Sequence, residues 1–191
     1  MNFCSHCGAP LTYRVPPGDN RERAVCPSCD RIHYQNPRIV AGCIPEWEGR
    51  ILLCRRAIEP RCGRWTLPAG FMENDETSMQ AAARETLEEA NAMVEVMDLY
   101  TLLNLPHVNQ VYMMFRSRLL NPEFSPGTES LETRLFHEDE IPWDDLAFPT
   151  VRFTLEFFFS DRSNGSFRFR VGEVLRDKDN ISRYHGHRFN Q

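Results

Sequence analysis

Gly70-Phe71-Met72-Glu73-Asn74-Asp75-Glu76-Thr77-Ser78-Met79-Gln80-Ala81-Ala82-Ala83-Arg84-Glu85-Thr86-Leu87-Glu88-Glu89 is the stretch from which the fold is read. Asn74, Asp75 and Thr77 are candidate caps for a helix that runs to about Ala90. Met79, Ala82, Ala83 and Leu87, with Thr86 and Ala90, predict a core-facing side, and the alanines permit close packing. The opposite side carries Glu85, Glu88 and Glu89, at i, i+3 and i+4, so their carboxylates project together within one helical turn. Such a cluster is most often a solvated acidic face. Mutual repulsion makes it costly unless cations fill it, and hard oxygen ligands suit Mg²⁺. Arg84 adjoins the cluster, and Glu76, eight residues earlier, is placed to pair with it across the loop.

Upstream, Ile39–Ile44 and Arg50–Cys54 read as two short strands joined by a polar turn containing Gly49. Trp65-Thr66-Leu67-Pro68-Ala69-Gly70-Phe71 reads as a rigid bend, because proline fixes one dihedral and glycine permits an unusual one. Downstream, Val111–Phe115 alternates like a central strand, with its Met and Phe residues packing. The segment Glu129–Phe136 precedes an expected strand. A helix from about Pro149 to Phe159 is expected to bury Phe153 and Phe157. Beyond it Ser163–Ser166 breaks the helix, Phe167–Val171 alternates like a strand, and Asp177–Asn180 and Tyr184–His187 read as solvated.

Cys4-Ser-His-Cys7 and, eighteen residues on, Cys26-Pro-Ser-Cys29 form a second signal. Four thiolates at this spacing satisfy tetrahedral Zn²⁺ and leave no open position, which favours a structural staple over chemistry. Few large apolar residues lie between the pairs, so metal binding is expected to supply much of the folding energy of residues 1–35. Cys43, Cys54 and Cys62 lack partner spacing and read as small hydrophobes or free thiols.

The 191 residues are 41% hydrophobic and 26% charged, with a formal charge of -5. That balance fits a globular chain with no global attraction to a polyanion, and nucleic acid contact is not expected. No apolar run is long enough to span a bilayer, and no secretory leader is evident at the start, so a cytoplasmic location is expected.

Gly70, five residues, Glu76, seven residues, then Arg84-Glu85-Thr86-Leu87-Glu88-Glu89 resembles the signature of the Nudix hydrolase family. Asn91 stands where the pattern has glycine, and asparagine tolerates the left-handed helix end. The resemblance implies an α-β-α sandwich with a mixed sheet over residues 36–162, preceded by a zinc ribbon at 1–35 and followed by an extension at 163–191. It implies Mg²⁺ or Mn²⁺ ligation by Glu85, Glu88 and Glu89, with Arg84 and Glu76 holding the loop and Glu85 helping to orient or deprotonate the attacking water. Glu129 resembles an additional loop ligand or base, with Glu132 the competing choice.

The four-cysteine ribbon beside such a box is similar to two groups in the family, the NADH pyrophosphatases and a group that splits FAD and ADP-ribose. A Ser-Gln-Pro-Trp-Pro-Phe-Pro-like segment typical of the first is absent, and Pro106, fifteen residues after Asn91, sits near a proline typical of ADP-ribose-cleaving members. The resemblance therefore favours ADP-ribose or FAD, giving AMP plus ribose 5-phosphate or FMN. Arg55, Arg56, Phe71 and Tyr112 are candidates for gripping the diphosphate and shelving the base. The rival readings are an NADH or capped-RNA pyrophosphatase and a non-enzymatic nucleotide-binding module. A homodimer is a further implication of the resemblance.

Overall fold

The computed structural model describes residues 1–176 and 182–187. Two compact units are formed, Met1–Pro37 and Arg38–Gln191. In the first, β1 (Thr12–Arg14), β2 (Arg23–Val25) and β3 (Ile32–His33) make a three-stranded antiparallel sheet. Its buried apolar groups are Ala24 and Val25 with Cys4 and Cys26, while Tyr13 and Val15 are exposed. So small a core matches the expectation that the cysteines dominate this unit.

The second unit comprises β4 (Arg38–Trp47), β5 (Arg50–Arg56), β6 (Trp65–Thr66), β7 (Ala69–Phe71), α1 (Ser78–Ala90), β8 (Val94–Leu105), β9 (Gln110–Leu119), β10 (Ser130–Phe136), α2 (Pro149–Asn164), β11 (Arg170–Arg176) and β12 (Ser182–Gly186). One mixed sheet runs in the order β10-β5-β4-β9-β8-β11-β12, with β6 on β5 and β7 on β4. The pairs β4–β9 and β8–β11 are parallel and the others antiparallel. Glu48 and Gly49 both have positive φ (47° and 77°), which lets a two-residue turn match the strand twist between β4 and β5.

Strand periodicity explains the layers. Ile44, Ile51, Leu53 and Met114 face α2, packing with Val151, Leu155, Phe158 and Phe159. Their strand neighbours Cys43, Leu52, Cys54 and Phe115 belong to the clusters of α1 with Ala81, Ala82 and Ala90. The helices thus lie on opposite faces of the sheet, the α-β-α sandwich that the sequence implied.

Helix α1 starts with a reciprocal cap: Thr77 Oγ1 accepts from Gln80 N–H, and Gln80 Oε1 accepts from Thr77 N–H. Its buried face agrees with the expected one at Ala82, Thr86 and Ala90 and differs at Met79 and Leu87, with Ala83 half-buried. Ala81, Ala82, Thr86, Glu89 and Ala90 are buried, whereas Met79 and Leu87 are exposed. Small side chains allow the helix to settle onto Ala41 and Cys43, and that contact fixes its rotation more strongly than two larger residues at its margin. Helix α2 likewise extends past Phe159 to Asn164 and buries Phe158 and Phe159, leaving Phe153 and Phe157 half-buried.

The strand after α2 begins at Arg170, later than the alternation from Phe167 suggested. Phe167 instead packs on the core and takes the Arg116 guanidinium 4.0 Å above its ring. His185 to His187 are exposed, as expected, but Ser182–Gly186 pairs with β11, and the Tyr184 ring packs edge-on against Phe157 at 4.9 Å. The expectation for residues 177–180 lies outside the described residues. Among the described residues no helix is long and apolar enough to cross a membrane.

Asp161, 5% exposed near the end of α2, ties these segments together. It accepts from Tyr100 Oη (2.9 Å) and Arg168 N–H (2.9 Å) and pairs with Arg170 at 2.5 Å. Burial opposes its charge, but the Arg170 guanidinium and these donors prevail and hold its carboxyl down at about 2. A depressed native pKa contributes stability above the unfolded value, near 3.9, that is lost as pH falls toward 2. Urea titrations at pH 7 should show Asp161→Asn less stable by roughly 2 kcal/mol, and the difference should shrink between pH 4 and 2. A pH-independent difference would mean that the charge on Asp161 is not what holds the segment.

Candidate active site

Gly70 lies in β7 directly against Glu85. A side chain at position 70 would collide with the Glu85 carboxylate, and Gly70 has no left-handed φ. The glycine thus gives the Glu85 carboxylate its place by close approach, since a side chain at 70 would displace that carboxylate, and not by the unusual dihedral that the sequence suggested. Ala69 N–H donates to Glu89 Oε2 at 3.2 Å, so β7 fixes both the inner carboxylates.

The three helix glutamates are graded in depth instead of sharing one solvent face. Glu88 is exposed, Glu85 half-buried and Glu89 only 7% exposed. Burial pushes the Glu89 carboxyl up to about 8, opposed by the Ala69 N–H and reinforced by the charges of Glu85 and Glu129. Burial also raises Glu85, with Arg84 opposing and Glu88 and Glu129 adding to the rise. Arg84 spans the group: it donates to Glu76 (2.8 and 3.0 Å), Glu85 (2.7 Å), Glu88 (3.0 Å) and the Phe71 carbonyl (3.1 Å). Arg84, followed by the Glu73 N–H, holds Glu76 down at about 2.

The loop before β10 is attached to the end of α1. Ser125 N–H and Gly127 N–H donate to the Ala90 and Glu89 carbonyls (2.9 and 3.0 Å), satisfying acceptors that a helix end leaves open. Gly127 packs on the Glu88 carbonyl with no room for a side chain. Asn91 adopts the left-handed cap (φ 47°, ψ 32°). Its Nδ2 donates to Ser125 O, Ser125 Oγ and Pro126 O at 3.2, 3.1 and 3.2 Å, bonds that a glycine cannot make.

One cavity of about 1250 Å³ collects most of the candidate residues. Glu85, Glu88, Glu89, Glu129, Arg84, Arg56, Phe71 and Tyr112 all line it, with Asn91 and Phe148. Arg55 and Glu132 do not: Arg55 donates to the Gly63 carbonyl and pairs with Glu132 at 3.8 Å. Nor does Glu76, which holds Arg84 and accepts from the Glu73 N–H at 2.7 Å. Arg56 stacks over Phe148 at 5.1 Å, and Arg38 over Phe71 at 4.3 Å. The left-handed cap at Asn91 was read from the sequence and is present, but its side-chain bonds to the loop, and the roles of Arg38 and Phe148, were not.

In the ribbon, the sulfurs of Cys4, Cys7, Cys26 and Cys29 lie within 4.8 Å of one another, with contacts of 3.4–3.8 Å. A tetrahedron with metal–sulfur bonds of about 2.3 Å has edges of about 3.8 Å, so the four thiols fit a zinc ion. His33 Nε2 approaches the Cys4 sulfur at 3.4 Å, beside the set. Cys43 and Cys54 are buried within the sheet layers and Cys62 is exposed.

Comparison with known proteins agrees with this geometry. Residues 2–35 match the Nudix N-terminal zinc-ribbon model and residues 36–157 the NUDIX domain model. The chain belongs to the Nudix hydrolase family. A crystal structure of a NUDIX hydrolase from Nitrosomonas europaea is similar, with 56% identity and a TM-score of 0.89 over 91% of this chain and 99% of that one. An NAD-capped RNA hydrolase NudC from Stutzerimonas stutzeri is 28% identical over 84% of this chain and 56% of its own length. An ADP-ribose pyrophosphatase from Methanocaldococcus jannaschii is 30% identical over 60% of this chain and 69% of its own length. The chain thus spans about half the length of the NAD-capped RNA hydrolases that it matches.

Two outcomes follow from the geometry. Cys26→Ser should reduce bound zinc, measured by elemental analysis, well below one ion per chain; full retention would show that the four-sulfur set is not the binding site. Asn91→Gly keeps the cap backbone and removes the side-chain bonds, so amide exchange at Ser125 and Gly127 should accelerate and stability fall by about 1 kcal/mol. Unchanged exchange would mean that the backbone bonds alone secure the loop.

Proposed function

We propose that the chain hydrolyses the diphosphate of an NAD-type dinucleotide, free or carried at the end of an RNA, releasing AMP or its RNA-linked counterpart and a nicotinamide mononucleotide. The observation that carries this is the cavity that four carboxylates line together with Arg84, and whose roughly 1250 Å³ exceeds what one mononucleotide needs. The NAD-capped RNA hydrolases among its relatives support the NAD-type substrate. The absent Ser-Gln-Pro-Trp-Pro-Phe-Pro-like segment runs against it. A second reading, ADP-ribose, is favoured by the archaeal relative of that activity.

The residues present fit a divalent cation. Two carboxylates are crowded and largely desolvated, with one guanidinium to balance them, and their donors are hard oxygens. Glu85, Glu88 and Glu89, with Glu129, would hold Mg²⁺ or Mn²⁺. Such a cation supplies charge neutralisation at the diphosphate oxygens and acidifies water. The chain itself contributes orientation: the Ala69 N–H fixes Glu89, Arg84 sets Glu85 and Glu88, and the stitched loop delivers Glu129. Glu85 and Glu129 are the groups placed to accept a proton from attacking water. Arg56 and Tyr112 face the substrate from the sheet, and Phe71 offers an aromatic surface.

The test is product analysis with NADH, ADP-ribose and FAD, in separate Mg²⁺ and Mn²⁺ reactions of the zinc-loaded protein. AMP and reduced nicotinamide mononucleotide from NADH, lowered at least a hundredfold in Glu88→Gln, are the expected result. Turnover confined to ADP-ribose or FAD would replace the substrate while keeping the site, and turnover of none would sink the proposal.

A further inference from the structure

The family match ends at residue 157, yet the cavity is lined by Val174, Arg176 and Ser182 from the strands beyond it. These strands are firmly held. The strand β11 joins β8 in parallel from Arg170↔Thr101 to Glu173↔Asn104, and Asn104 Nδ2 donates to the Gly172 carbonyl at 3.1 Å. Gly172 and Gly186, paired across β11 and β12, leave the space that the Tyr184 ring occupies, and Tyr184 Oη donates to the Val171 carbonyl at 3.3 Å. Aromatic cover of paired glycines fixes register in a sheet.

The alternation then determines what reaches the cavity. Gly172, Val174 and Arg176 share one face of β11, opposite Gly186, Tyr184 and Ser182 of β12. Tyr184 packs on Phe153 and Phe157, so this is the face toward α2. Val174 is buried there, and Arg176 follows it, exposed and lining the cavity with Phe148, Thr150 and Val151 from the start of α2. Among the described residues Arg176 makes no ion pair, whereas Arg84 is committed to three glutamates. Thr150 is 1% exposed, and its hydroxyl has no hydrogen-bond partner. A buried unpaired hydroxyl and an uncommitted guanidinium, with Ser182 beside the apolar Phe148, Val151 and Val174, call for a polar ligand.

We infer that the hairpin β11–β12 binds the nucleoside half of the substrate and that Arg176 takes a phosphate ester carried on its ribose. This rests on the NAD-type reading above and narrows it to dinucleotides bearing a phosphate besides the scissile diphosphate. Two sources share that chemistry, the 2′-phosphate of a free dinucleotide and the 3′-phosphodiester that joins the dinucleotide to RNA.

Equilibrium titration of the zinc-loaded full chain without added Mg²⁺ or Mn²⁺ separates them and does not depend on turnover. The probes are NAD⁺, NADP⁺ and a short RNA carrying a 5′ NAD. The unaltered chain should prefer a phosphate-bearing probe over NAD⁺, and Arg176→Ala should cut that preference about tenfold, the scale of one charge-assisted hydrogen bond. Arg176→Lys should restore part of it. Preference for NADP⁺ assigns the 2′-phosphate, and preference for the capped RNA alone assigns the 3′-phosphodiester. No preference, a preference that Arg176→Ala leaves intact, or an equal loss in Arg118→Ala on β9, outside the cavity, would overturn the inference. If the preference and its loss are seen while no substrate is turned over, the hydrolase proposal fails and the subsite stands.

Discussion

Arg84 is the contact on which the site depends. Carboxylates brought within reach of one another at the edge of a packed sheet repel, and each loses hydration as it is buried. One guanidinium facing Glu76, Glu85 and Glu88 offsets part of that cost and also reaches the Phe71 carbonyl. The fork geometry of arginine makes several such bonds at once, which an ammonium could not. Through them the loop after β7, the helix α1 and the strand β7 act as a single unit.

Much of this was legible because local chemistry and global packing agree. The cap at Thr77, the spacing of Glu76 and Arg84, the triad of glutamates and the paired cysteines each satisfy a requirement within a few residues or one helical turn. The choice of Glu129 over Glu132 was not decided by the sequence. In the structure Glu129 borders the cavity and Glu132, paired across from Arg55 in the sheet, forms an ion pair with it.

What escaped the sequence depends on partners distant along the chain. Met79 and Leu87 look like core residues until the alanine face of α1 is seen against Ala41 and Cys43. The role of Gly70 follows from Glu85, fifteen residues later, coming to rest against it. The last strands were hardest to read, since Tyr184 finds its place only when two glycines, one on each strand, open the space for its ring.

The contact of Gly127 with the Glu88 carbonyl also governs how the chain can change in length. From Ser125 to Ser130 the backbone is bonded at nearly every step, to α1 at one end and through Glu129 to Ala57 at the other. An added or deleted residue there would turn Glu129 out of the cavity. The exposed turn around Asn121–Glu123 carries no such obligation, so growth and trimming of this connection are confined to its first few residues. Homologous chains can therefore differ in the span between β9 and the loop while keeping the spacing from position 127 to position 129 constant.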